Sequence, residues 1–450
     1  MPQSEAESLA RRVIATLRAA GQQAYLVGGC VRDLLLGAEP KDFDVSTDAR
    51  PERIMQLFPR SGQVGAHFGV VLVRDAFAQV EVATFRSDCD YEDGRRPSAV
   101  RFETDARADV LRRDFTINGL IMDPETGEVL DYVGGREDLE GRLLRAIGDP
   151  GARFREDHLR LLRAVRFAAR LGFSIEPATF EAMRRHAALI ARVSAERVRD
   201  ELVRILTEGG AAYGLDLLDR SGLLAAVLPE VSAMHGVAQP PEFHPEGDVW
   251  THTRLLLEKL DRATPTLALG ALLHDVGKPP VFRVAERIRF DGHVEKGVEM
   301  TRAILNRLRF SRDDTEQVES LVAHHMHFKD AGQMKESTLK RLMRLPRFEE
   351  HLELHRLDCL ASNGRLETWE TVKRKWEEMA AEELKPAPLI TGADLIAAGY
   401  HPGPRFGEIL SAVEDAQLEH RLHTPAEALE WVRARYPQPD TPSSGATPNS

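Results

Sequence analysis

The period of the apolar positions changes along this chain, and the change divides it. Residues 5–20 carry apolar side chains three and four apart, the spacing of an amphipathic helix. Residues 24–27 (AYLV) are a short apolar run that predicts a strand; Gly28-Gly29 follows, then a helical pattern over 31–36 that ends at Gly37. Residues 43–46 predict a second strand and 51–58 a helix with proline in its first turn. Residues 70–74 and 80–85 predict two β-branched strands, close enough in sequence to pair antiparallel.

From about residue 149 the pattern becomes helical, over 159–171, 179–192, 195–206 and 211–221. Pro240, Pro241 and Pro245 mark a linker. A second helical region runs over 252–360, and a last one over 366–435 is interrupted near 385–388. Residues 437–450 are rich in Pro, Ser and Thr and are expected to be disordered. The fold class is therefore α+β multidomain: a small α/β head followed by all-α units. The expected units are 1–148, 149–235, 236–365 and 366–436, with a tail over 437–450.

Composition changes this picture little. The 450 residues exceed one ordinary core, and 42% hydrophobic with 29% charged residues fits a folded, soluble protein. Cys30, Cys89 and Cys359 are far apart and in no CxxC arrangement, which excludes a disulfide framework and fits a reducing, cytoplasmic setting. No run approaches the ~20 apolar residues of a membrane span, and residues 1–12 lack the apolar core of a signal peptide. The net charge of −11 by itself argues against a nucleic-acid partner. A local cluster reverses that argument: Arg153, Arg155, Arg160, Arg163, Arg166 and Arg170 crowd one segment, and Arg184, Arg185, Arg192, Arg197, Arg199 and Arg204 continue it. The oligomeric state is left open.

Candidate chemistry begins at Asp42-Phe43-Asp44. Residues i and i+2 of a strand point to the same side, so the two carboxylates repel unless cations lie between them, and such oxygens suit Mg²⁺. Alone, the pattern is that of a solvated turn. The Gly28-Gly29 turn between a strand and a helix gives it weight, because glycine admits close ligand approach and free helix N–H groups attract phosphate. Arg32 can add a guanidinium fork. Glu81, amid β-branched residues, is either the outward face of an edge strand or a third carboxylate of the same site. Arg113, Asp114 and Asn118 can surround a ribose and a triphosphate, and Asp114 can also cap a helix. Asp157 and Arg160, three apart, are expected to share one helix face, either as an ion pair or as an acceptor and donor that read the edge of a base.

The ordered segments LVGGCVRDLLLG, KDFDVSTDA, VEVATFR, RRDFTINGL, DYVGGREDLEGRLLRAIGDP and EDHLRLLRAVRFAARLGF resemble the motifs of class II CCA-adding enzymes, which share a polymerase-beta-like nucleotidyltransferase head with bacterial poly(A) polymerases. The likeness covers about residues 20–230. It implies template-independent addition of CCA to the 3′ end of tRNA from CTP and ATP. It also implies Mg²⁺ held by Asp42 and Asp44, with Glu81 as a third carboxylate. Triphosphate contacts would come from Gly28, Gly29 and Arg32, and ribose or phosphate contacts from Arg113, Asp114 and Asn118. Glu156, Asp157 and Arg160 would form the base-selecting motif, with Arg163 and Arg166 beside it. Residues 87–100 fill the place of a flexible loop that CC-adding relatives lack, which favours CCA or A addition.

His252, His274-Asp275, His293, His325 and Asp358 resemble the ligand set of the HD phosphohydrolase superfamily, although His324 and His327 flank His325. Imidazole and carboxylate together suit Mn²⁺, Co²⁺, Ni²⁺, Fe²⁺ or Zn²⁺, and Asp275 can bridge two ions. A-adding or poly(A)-adding activity, and an HD hydrolase with an RNA-binding head, are the alternatives.

Overall fold

The computed structural model describes residues 4–63, 69–91, 97–242, 244–379 and 384–437. Parts of two expected segments, residues 92–96 of the loop and 438–450 of the tail, lie outside the described residues.

The described residues of the head hold the strands β1 (Ala24–Val27), β2 (Asp44–Thr47), β3 (Ser61–Gln63), β4 (Val70–Arg74), β5 (Gln79–Thr84), β6 (Arg86–Tyr91), β7 (Pro97–Phe102), β8 (Ile121–Met122) and β9 (Val129–Leu130), and a short strand Leu143–Leu144 that pairs with Ser174–Ile175. Seven form one sheet in the order β3-β4-β5-β2-β1-β8-β9. β4 and β5 pair antiparallel, as their spacing predicts, whereas β2 and β5 run parallel with Asp44 opposite Glu81. β6 and β7 pair with each other, so the expected loop over 87–100 is a hairpin at its described ends.

Helix α1 (Glu5–Ala19) buries Leu9, Val13, Ile14 and Leu17, and Ser4 caps it by accepting from the Glu7 N–H. Helices α2 (Gly29–Leu35), α3 (Pro51–Leu57), α4 (Ala106–Leu111) and α5 (Gly135–Glu140) complete the head. The Gly28-Gly29 turn works as expected: Gly28 holds φ 77° and leads directly into α2.

The neck consists of α6 (Pro150–Glu156), α7 (Arg160–Leu171), α8 (Pro177–His186), α9 (Ala195–Thr207), α10 (Ala211–Arg220), α11 (Leu223–Val227) and α12 (Pro229–Ser232). Beyond the prolines come α13 (Val249–Glu258), α14 (Pro265–Leu273), α15 (Lys278–Val281), α16 (His293–Arg307), α17 (Arg312–His324), α18 (Glu336–Met343) and α19 (Phe348–Ala361). A short hairpin pairing Arg283 with Arg289 interrupts the otherwise helical stretch. Helix α14 is apolar all round and buried along Thr266–Leu273, so it forms the axis of this part.

Buried apolar residues form one continuous cluster from Leu9 in α1, through the neck, to Ala361 in α19. Helix α20 (Glu367–Glu378) joins a separate cluster through Val372. Helices α21 (Gly392–Ala397), α22 (Arg405–Leu418) and α23 (Pro425–Arg435) hold a core of their own around Leu395, Ile409 and Val432. No helix among the described residues is long and apolar enough to cross a membrane.

Candidate active sites in the head and the helical domain

The parallel register of β2 and β5 sets Asp44 beside Glu81, and Asp42 stands just ahead of β2. Strand β5 lies between β4 and β2, so Glu81 is exposed without being on an edge strand. Burial and the neighbouring Glu81 charge push the Asp44 carboxyl up to about 6; Arg113 pulls against them and Asp42 adds to the rise. A carboxylate raised by two neighbouring carboxylates in this way fits a bound divalent cation, which would relieve the repulsion.

Asp42 and Asp44 open onto a cleft of about 370 Å³ that Gly28, Gly29, Arg32, Arg113, Asp114, Asn118, Arg163 and Arg166 also line. Its wall is a network of fixed guanidinium groups. Arg32 is buried and donates to Asp33 (2.7 Å) and to Asn118 Oδ1 (2.7 Å). Arg113 donates to Asp109 (3.0 Å) and approaches Gly28, where an added Cβ would lie 3.2 Å from its terminal nitrogen. Asp114 accepts both prongs of Arg163 (2.9 and 2.6 Å) and the Asn118 amide (3.1 Å). Burial works to raise the Asp114 carboxyl, but Arg163, Asn118 and Arg160 together hold it down at about 2. Arg166 donates to Glu201 at 2.8 Å.

Asp157 and Arg160 depart from expectation. They do not share a helix face: α7 begins at Arg160, and Asp157 precedes it with extended backbone, φ −138° and ψ 108°. The Asp157 carboxylate accepts from the Leu159 N–H (3.1 Å), which closes a local turn and delays the helix. Asp157 pairs with Arg197 of α9 (3.0 Å), not with Arg160; Arg160 donates to Glu156 (2.7 Å) and to the Arg112 carbonyl (3.0 Å). Neither lines the cleft, although the Arg160 charge helps to lower Asp114 and the Asp157 charge to raise Arg163, both of which do.

Lys41, Phe167, Arg170, Arg204 and Glu208 also line the cleft and escaped the sequence reading as site residues. Phe167 carries three guanidinium groups, those of Arg32, Arg163 and Arg166, at 5.3, 5.2 and 4.4 Å. The spacing of Arg163, Phe167 and Arg170 at i, i+4 and i+7 was the available signal for this face.

The histidine set converges as the sequence suggested. His252 lies in α13, His274-Asp275 follow α14, His293 opens α16, His325 follows α17 and Asp358 lies in α19. Donor atoms of His252, His274 and Asp275 lie within 4.8 Å of one another, as do those of Asp275, His293 and His325. His252 Nε2 is 3.0 Å from Asp358 and 3.3 Å from His274 Nε2. The Nε2 atoms of His293 and His325 are buried without a hydrogen-bond partner, although each Nδ1 is bonded to a backbone carbonyl. Buried imidazole lone pairs left in this way beside a carboxylate fit a bound metal, which these residues would hold. Of the neighbouring histidines, His325 is the one whose donor atom groups with those of Asp275 and His293, while His324 Nδ1 bonds the Ser320 carbonyl (2.8 Å).

Lys278 bonds Asp275 at 2.7 Å, and burial of the Asp275 carboxyl is outweighed by Lys278 and His274, which hold it well below the usual range. Gly277 packs so tightly that an added Cβ would lie 2.1 Å from the His293 carbonyl oxygen, so only glycine lets the segment after His274-Asp275 approach α16. A cavity of about 240 Å³ opens over this centre. Glu246 and His244, in the proline-rich stretch, lie against His252 and were not anticipated.

A mixed-sheet head with paired strand carboxylates, an arginine-lined cleft and a helical domain with clustered histidines define a nucleotidyltransferase fused to an HD domain. Family models agree in chain order: "Poly A polymerase head domain" matches residues 24–145, "Probable RNA and SrmB- binding site of polymerase A" 172–234, and "HD domain" 248–361. A CCA-adding enzyme of Streptococcus pneumoniae is 31% identical over 93% of this chain and 94% of its own. One of Levilactobacillus brevis is 34% identical over 94% and 96%. The Bacillus stearothermophilus CCA-adding enzyme, solved in complex with CTP, superposes with a TM-score of 0.75 at 27% identity, over 96% of this chain and 98% of that one. The chain belongs to the CCA-adding enzyme family.

Proposed function

We propose that this protein completes the 3′ end of tRNA in the cytoplasm, adding C, C and A from CTP and ATP without a nucleic-acid template. The observation that carries the reading is the alignment of Asp44 with Glu81, beside Asp42, at the mouth of an arginine-lined cleft. Mg²⁺, when bound, supplies the positive charge that favours an ionised 3′ hydroxyl and a departing pyrophosphate.

In this reading residues 1–148 are the catalytic head and 149–235 the base-selecting neck. Asp42 and Asp44 hold the metal, with Glu81 beside them. Gly28, Gly29 and Arg32 meet the triphosphate, while Arg113, Asp114, Asn118, Arg163 and Arg166 order the ribose and phosphates. Asp157 and Arg160 choose the base. Cytosine and adenine both present an amino donor that a carboxylate accepts and a ring nitrogen that a guanidinium meets; uracil and guanine present a carbonyl in place of that donor. Nucleotide binding then exchanges the Arg197 and Glu156 partners of these two side chains for the base edge.

The test is to offer tRNA lacking its CCA end, with CTP and ATP singly and together, and to sequence the products. Ordered CCA is expected; long A tails would assign the chain to polyadenylation.

A second activity is favoured by the two donor triads sharing Asp275. Residues 236–365 act in this reading as a phosphohydrolase domain using Mn²⁺, Ni²⁺ or Co²⁺. Stimulation of phosphate-ester hydrolysis by one of these ions is the expected result, and no stimulation by any of them would reduce the domain to a packing role.

A further inference from the structure

Glu246 lies in a segment that its prolines mark as a connection, yet it is built into the histidine centre. Its side chain is 5% exposed. One oxygen, Oε1, lies 2.7 Å from His252 Nδ1 and 2.8 Å from His244 Nδ1. The two imidazole rings stand 4.9 Å apart and nearly perpendicular. The backbone around it is held in place: Asp248 caps α13 through the Thr251 N–H and also accepts from the Gly236 N–H. Gly247, at φ 121°, turns the chain between Glu246 and that cap.

We propose that Glu246 is a positioning residue of the HD centre, which orients His252 for metal binding and braces His244 at the cavity wall. This rests on reading His252, His274, Asp275, His293, His325 and Asp358 as a metal centre. A neutral imidazole binds a metal through the nitrogen that lacks a proton, and the hydrogen bond made by the other nitrogen decides which that is. With a metal on Nε2, the nitrogen that faces Asp358 and His274, the one proton left on the ring sits on Nδ1, where Glu246 accepts the bond. His252 is fully buried, and water cannot substitute for that acceptor. His244 lines the cavity with its Nδ1 likewise engaged by Glu246. The same three residues also come close enough to be ligands of an ion themselves. Two short bonds to one shared carboxylate oxygen favour the bracing role instead.

The experiment titrates Mn²⁺ into metal-stripped full-length protein by calorimetry, in an Asp42→Ala/Asp44→Ala background that silences the head carboxylates. Glu246→Ala is expected to weaken Mn²⁺ binding about 10- to 100-fold. Glu246→Gln keeps an acceptor oxygen and is expected to fall between it and the parent. His244→Ala is expected to leave stoichiometry unchanged and affinity within about twofold. Thermal melts in chelator, matching the parent, separate this effect from misfolding. Parent-like binding by both Glu246 variants overturns the proposal, as does loss of one ion per chain in His244→Ala, which would make the trio an ion site. Absence of Mn²⁺ binding in the parent overturns the metal-centre reading itself, and the bracing role with it.

Discussion

The head cleft gathers its charge from arginines and carboxylates around an open groove, whereas the HD centre packs imidazoles into the protein interior. Asp44 and Glu81 meet because two strands run parallel in register, and each occupies an ordinary strand position. His252, His274, Asp275 and His325 are each 5% exposed or less and come from or follow three different helices. The first arrangement suits a hard ion that keeps much of its hydration and is shared with phosphates; the second suits a resident ion held by nitrogen. The contrast teaches that one chain can set two carboxylate-bearing sites apart by ligand type and solvent access.

The largest expected effects should break the comparison cleanly. Asp42→Ala or Asp44→Ala is expected to lower nucleotide incorporation about 10³-fold or more, measured in single turnover, with tRNA binding retained in a filter assay. Asp275→Ala is expected to empty both histidine triads by elemental analysis while incorporation stays within about twofold. Loss of incorporation in Asp275→Ala would mean that the two centres act as one.

Next in size is Asp114→Asn, which leaves Arg163 without its carboxylate and is expected to cost about 3 kcal/mol of stability at pH 7. The folded carboxyl is depressed from 3.8 in the unfolded chain to about 2. The unfolded state therefore binds the proton more readily, and the contribution, fully present above about pH 4, is lost as pH falls through 2. Melting temperatures at pH 7, 4 and 2.5 should converge between wild type and variant as pH drops; a constant gap would remove Asp114 as the cause.

Gly277→Ala is expected to destabilise the HD side by about 2 kcal/mol, because backbone atoms must move to admit the methyl group. An unchanged melting temperature would show that the approach of this segment to α16 relaxes freely. Smallest is Asp157→Ala, where loss of one base-edge partner should relax discrimination against UTP and GTP about tenfold in single-nucleotide incorporation. Unchanged preference would move base selection to other residues.

Much of this was legible because it depended on short spacing. The glycine turn and the antiparallel pairing of β4 with β5 follow from neighbouring residues, whereas Asp42 stands ahead of β2 and not on the strand that the Asp42-Phe43-Asp44 pattern implied. The histidine set was legible for another reason, since few side-chain types repeat at such intervals for packing alone. What failed was continuity. Asp157 and Arg160 do not share one helix, because the Asp157 side chain accepts from the Leu159 N–H and α7 starts only at Arg160. Proline-rich spacing hid His244 and Glu246, whose role depends on where α13 docks. Arg204 and Glu208 reach the cleft only because α9 packs against α7, a tertiary fact with no local signature.

The unbroken apolar cluster from Leu9 to Ala361 has a thermodynamic consequence. The head, the neck and much of the HD domain share this packing and are expected to melt together, whereas α21, α22 and α23 enclose a core of their own and are tied to α18 by polar contacts, Arg341 to Glu414 and Lys340 to the Leu418 carbonyl. Any ion that binds only the folded HD centre then stabilises the whole unit by mass action, by about 2.7 kcal/mol at a hundred times its dissociation constant. An ion held by the histidines would in this way raise the temperature at which the head unfolds, with no signal passing between the two sites.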